Sequence, residues 1–104
     1  MRENAGVAAE LMRALSHEGR LAILCLLVEG ERSVGEIERL LDLRQPAVSQ
    51  QLARLRAEGL VRVRRSGKLS LYALAREDVA EVIATLHRIY CEAPERAPAG
   101  APRE

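Results

Sequence analysis

Ser33-Val34-Gly35-Glu36 and, after a short polar interval, Gln45-Pro46-Ala47-Val48-Ser49-Gln50-Gln51-Leu52 are the stretches that decide the fold. The first has capping-box form: a serine hydroxyl reaches forward to a helix's third amide while Glu36 reaches back. Val34, Ile37, Leu40 and Leu41 follow at helical spacing, and this short helix is expected to end near Asp42. Pro46 suits the first turn of the next helix, where its missing N–H has no partner to lose. Val48, Leu52 and Leu55 give that helix a buried face, and Gly59 stands where a C-terminal glycine is wanted. The opposite face carries Ala47, Gln50, Gln51 and Arg54, short or hydrogen-bonding groups near the N-terminal end. Two short helices joined by a tight turn, the second offering such a face, make a helix-turn-helix that reads base edges.

Upstream, Ala8, Leu11, Met12 and Leu15 mark the apolar stripe of a first helix, and Ser16 is placed to cap a second. Leu21, Leu24, Cys25 and Val28 repeat the spacing, while Ile23, Leu26 and Leu27 make the second helix apolar nearly all round, as expected of a central one that stops near Gly30. Downstream, Val61 and Val63 alternate with Arg62 and Arg64, Ser66-Gly67 interrupts, and Leu69 and Leu71 resume, the pattern of a hairpin with a basic tip. A last helix is expected from about Glu77 to Cys91, with Val79, Val82, Ile83, Leu86 and Tyr90 on one side. The expected fold is a mainly α winged helix-turn-helix, five helices with a small β-hairpin between the fourth and the fifth. It occupies one domain, residues 1–92, with a Pro/Ala-rich tail at 93–104 expected to be disordered.

The chain has 104 residues, no Phe or Trp and only two Tyr, so its core must come from aliphatic side chains, and so small a core favours a partner subunit. No apolar run reaches the roughly 20 residues of a membrane span, and the first residues have no signal-peptide character, so a cytoplasmic protein without membrane contact is expected. In that compartment two cysteines point to sensing rather than to a structural disulfide. Net charge is +1, yet residues 44–68 hold seven basic side chains against the single acid Glu58 while the rest is acidic, an asymmetry suited to DNA phosphates. No nucleophile and base set and no Gly-rich phosphate loop is present, which argues against an enzyme.

These residues resemble a family, the dimeric winged-helix repressors of the ArsR/SmtB type. The likeness covers about residues 9–92 and rests on Ala14-Leu15-Ser16-His17-Glu18-Gly19-Arg20-Leu21-Ala22-Ile23-Leu24, on the run from Gln45 to Leu52, and on Leu55-Arg56-Ala57-Glu58-Gly59-Leu60-Val61. It implies a homodimer joined through the first and last helices, with recognition helices entering successive major grooves of an inverted-repeat operator. The family's metal sites are not matched: the third helix has no Cys-x-Cys, and Asp78 is not followed by the histidine of an Asp-x-His. A composite of His17, Cys25, His87 and Cys91 is the remaining metal option, and haem on His87 or a cysteine a further one; no cofactor is expected.

The run Leu27-Val28-Glu29-Gly30-Glu31-Arg32-Ser33-Val34-Gly35-Glu36 is similar to the sulfide- and persulfide-responsive SqrR/BigR branch. Cys25 and Cys91 match its two sensing positions, one in the second helix and one in the last. The resemblance implies that reactive sulfur species bridge the two thiols and that the bridged form leaves DNA, derepressing sulfide metabolism. Cys25, mid-stripe, is expected to be the slower thiol, and Cys91, near a helix end with His87 one turn before it, the first to react. For DNA, Gln45, Ala47, Ser49, Gln50, Gln51 and Arg54 are assigned to the recognition helix, and Arg62, Arg64, Arg65 and Lys68 to the wing.

Overall fold

Helix α2, Glu18–Val28, is the element around which the computed structural model is organised. A helix apolar on nearly every face has to be wrapped. Ile23, Leu24 and Leu27 are buried, and Leu21, Cys25, Leu26 and Val28 pack half-buried against the same cluster. Around it run α1 (Arg2–Leu15), β1 (Arg32–Ser33), α3 (Val34–Leu41), α4 (Gln45–Ala57), β2 (Val61–Ser66), β3 (Leu69–Leu74), α5 (Glu77–His87) and a closing π-helical turn, Arg88–Glu92. The structure describes residues 2–92, so the tail expected at 93–104 lies outside the described residues. The winged helix-turn-helix with five helices is the fold observed.

Local chemistry sets the boundaries of the helix-turn-helix. Ser33 Oγ accepts from the Glu36 amide at 3.2 Å and the Glu36 carboxylate accepts from the Ser33 amide at 2.9 Å, the reciprocal capping box expected from the sequence. The amide held by Glu36 keeps that carboxyl below its ordinary range. Asp42 ends α3 in the left-handed region at φ 54°, Pro46 opens α4, and Gly59 at φ 77° closes it. Val48, Leu52 and Leu55 carry α4 onto the core.

The sheet has three antiparallel strands in the order β1-β3-β2, one more than the expected hairpin. Two residues are too few to show alternation, and Ser33 is both the end of β1 and the cap of α3. Val61 and Val63 share the core-facing side with their partners Leu74 and Tyr72, which leaves Arg62 and Arg64 on the outer face. Gly67 at φ 63° and Lys68 form the turn between the paired ends Ser66 and Leu69.

Elsewhere the structure departs from the sequence pattern. Ser16 does not cap α2; its hydroxyl donates back to the Arg13 carbonyl at 2.9 Å, and His17 is the cap, its Nδ1 accepting from the Arg20 amide at 3.4 Å. Leu40 projects outward from the short α3, while Ile37 takes the buried position. In α1 only the C-terminal positions Leu11, Ala14 and Leu15 join the core; Ala8 and Met12 of the expected stripe are exposed because the helix leaves the body toward its N-terminus. Tyr90 is 49% exposed, since the i→i+5 bonding of the π turn rotates it off the α5 stripe.

Candidate DNA interface and thiol site

On α4, Ala47, Gln50 and Arg54 are exposed along one face, and Gln45 Nε2 donates to the half-buried Ser49 Oγ at 3.1 Å. Gln51 is different. It lies at the edge of the buried face, one turn from Val48, and its Oε1 is buried without a hydrogen-bond partner among the described residues. The structure thus groups Ala47, Gln50 and Arg54 and sets Gln51 apart from them.

The four cations of the wing also divide. Arg62 donates to the Leu74 carbonyl at 3.1 Å, and Arg64 makes a bidentate pair with Glu31 at 2.7 and 2.8 Å. That pair holds the Glu31 carboxyl below its ordinary range and raises Arg64 further above its own. Arg65 and Lys68 are exposed and enter no ion pair among the described residues, as do Arg44, Arg54 and Arg56. Nothing in the sequence links Glu31 to Arg64, because the contact exists only once β1 and β2 flank β3.

Arg20, in the resembling run Ala14–Leu24, is a positioning residue for this whole unit. Its guanidinium, 11% exposed, donates to the Ala14 carbonyl at 2.8 Å and closes on Glu58 at 2.9 and 3.1 Å. One side chain therefore ties the end of α1 and the start of α2 to the end of the recognition helix.

The thiol-bearing elements meet on the other side of the core. Cys25 is half-buried on α2, which packs against α5, and Cys91 belongs to the π-helical turn that continues α5; the Cys91 side chain lies outside the described residues. His87 is buried at 7% exposure, and its Nε2 lies 3.0 Å from Oε2 of Glu29, the C-cap of α2. This contact, ahead of the weaker pull of Arg32, holds the Glu29 carboxyl below its ordinary range. Glu29 stands one helical turn after Cys25, and His87 one turn before Cys91. His17 caps the opposite end of α2, roughly 17 Å away along 11 residues, so among the described residues His17 does not join Cys25 and His87 in one ligand set. Asp78, at the other family metal position, is taken by Arg76 at 2.6 and 3.0 Å, which keeps its carboxyl low.

Residues 17–63, from the cap of α2 to the second strand, match the model of the bacterial regulatory protein arsR family. The transcriptional activator HlyU of Vibrio cholerae is 44% identical over 93 residues, covering 89% of this chain and 86% of the relative. The chain belongs to the ArsR family. The biofilm growth-associated repressor of Agrobacterium fabrum is 46% identical over 95 residues, covering 91% of this chain and 80% of the relative. Among solved structures, the transcriptional repressor BigR of Xylella fastidiosa superposes with a TM-score of 0.83 at 42% identity, covering 88% of this chain and 91% of that one. Reduced HlyU of Vibrio cholerae gives 0.80 at 44% identity, covering 88% and 96%. The ArsR-family matches span both halves of the molecule, and the chain is accordingly a DNA-binding transcriptional regulator rather than an enzyme. No helix among the described residues is long and apolar enough to cross a membrane.

Proposed function

We propose that this ArsR-family regulator is a cytoplasmic homodimeric repressor that holds an inverted-repeat operator while Cys25 and Cys91 are reduced. Reactive sulfur species bridge the two thiols, the protein leaves DNA, and genes of sulfide metabolism are expressed. The observation that carries this reading is the Glu29–His87 contact, which fastens α5 to α2 one turn from each cysteine. A π-helical turn around Cys91 adds to it, since such turns cluster at functional positions. That the structure of one relative is described as reduced agrees with a redox-dependent state.

The chemistry needs only the sensor's two thiols and an organic polysulfide. Cys91 as thiolate attacks the sulfur chain and expels one thiolate; Cys25 then attacks the chain held on Cys91 and expels the second. Two cysteines are oxidised, the polysulfide is reduced to two thiols, and any sulfur atoms between the attacked positions remain in the bridge. A direct disulfide requires Cα atoms within about 7 Å, and an inserted chain relaxes that limit.

The bridge reaches DNA through the backbone. Glu29, held by His87, begins the short link to Glu31, which holds Arg64 of the wing. A shift of α5 against α2 is thereby passed to the DNA-facing side, and a coupling of about 1 to 3 kcal/mol gives roughly a 5- to 150-fold loss of affinity. The second copy is expected over α1 and the end of α5, where Val7 is 66% exposed and Met12 and Tyr90 are uncovered. Cys25→Ser and Cys91→Ser are each expected to keep DNA binding and to lose its response to polysulfide in an electrophoretic shift assay. A responsive Cys91→Ser contradicts the bridge.

A further inference from the structure

Arg64 lies on the outer face of β2 with its side chain 58% exposed, yet the whole Nε–Nη2 edge of its guanidinium points at one carboxylate. The Nε and Nη2 contacts to Glu31, 2.7 and 2.8 Å, form the parallel two-bond fork with which arginine takes a carboxylate or a phosphate alike. Arg62 sits beside Arg64 on the same face, its charge also felt by Glu31. Arg65 and Lys68, at the same end of the hairpin, have no such anion among the described residues. Among the described residues the wing therefore carries two open cations, one that donates to a backbone carbonyl and one already paired with an anion.

We infer that Glu31 is an internal stand-in for a DNA backbone phosphate, masking Arg64 in the free protein and metering the affinity of the wing for duplex DNA. On binding, Arg64 exchanges one bidentate anion for another, and the displaced carboxylate returns to water. The phosphate contact that Arg64 gains is offset by the Glu31 pair it gives up, so the masked arginine adds little to the net affinity. Removing the charge of Glu31 turns Arg64 into a full phosphate contact. A carboxylate that merely anchored the wing would act in the opposite direction, because its loss would loosen the hairpin and weaken binding.

The inference rests on the wing meeting DNA, and one set of titrations separates the two. Fluorescence anisotropy is read on a labelled random-sequence duplex about three turns long, across a salt series, with the protein kept reduced. Glu31→Gln is expected to tighten binding by about threefold or more near physiological salt. Glu31→Ala, which cannot keep a hydrogen bond to Arg64, is expected to gain at least as much, and both gains should vanish in an Arg64→Gln background. Lys68→Gln is expected to weaken binding. An unchanged or weaker Glu31→Gln, or a gain that survives Arg64→Gln, overturns the role of Glu31; an unchanged Lys68→Gln overturns the wing contact and the masking with it.

Discussion

The helix-turn-helix and the α2–α5 side of the molecule are held together by different kinds of contact. In the former, Ser33, Glu36, Asp42, Pro46 and Gly59 act within three or four residues of themselves, and each fixes a boundary. In the latter, the decisive contacts join residues far apart: Glu29 with His87 across 58 positions, and Ile83 on α5 with the buried face of α2. A unit set by local chemistry presents a rigid surface to DNA. A side closed by a few long-range contacts is the one on which a chemical change can act.

The largest effect is expected where the two sides share a core. Ile83→Ala removes a fully buried side chain from α5 and should cost about 2–5 kcal/mol in chemical unfolding. A cost below about 1 kcal/mol would mean that α5 is not welded to α2 and that the contrast is misplaced.

Arg20 is an exception that sharpens the contrast, a long-range contact that ends on the recognition helix. Arg20→Ala should lose about 1–3 kcal/mol, because the Ala14 carbonyl and Glu58 lose a bonded, largely buried cation. Arg20→Lys should recover little of it, since one ammonium cannot form the fork. Full rescue by lysine would reduce the contact to simple charge pairing.

On the exposed face of α4, Gln50→Ala should change which base is preferred, by about 1–3 kcal/mol of discrimination, without altering the salt slope. Selection of bound sequences from a random pool checks this, and a uniform loss across all sequences would move Gln50 to the phosphate-contacting group.

The smallest effect concerns the Glu29–His87 clasp. The Glu29 carboxyl is depressed in the folded state, so its contribution is present above the ordinary carboxylate range and is lost as pH falls through the lowered folded value. Glu29→Gln should therefore be slightly less stable near neutrality and flatten the stability profile toward acid. An identical acid limb in the variant would show that the clasp contributes nothing.

The same contrast explains what was legible in the sequence. Helix boundaries in α3 and α4 follow from capping residues whose partners are neighbours, so the string from Ser33 to Gly59 was enough to place them. The outward turn of Leu40 and Tyr90, the exposure of Met12 and the burial of His87 were not legible, because periodicity assigns a face without saying what covers it. β1 and the Glu31–Arg64 pair arise only from strand pairing, and no spacing in the chain encodes them. Gln51 looked equivalent to Gln50 by residue type, and only the angular position of its side chain separates them.

Whether the long-range side is a sensor turns on one covalent fact. Intact mass of the fully reduced protein is measured before and after exposure to an organic polysulfide, with peptide mapping of the product. A single intramolecular Cys25–Cys91 cross-link is expected, its mass lower by two hydrogens and higher by a whole number of sulfur atoms. Unchanged thiols, or cysteines capped separately, would contradict the switch.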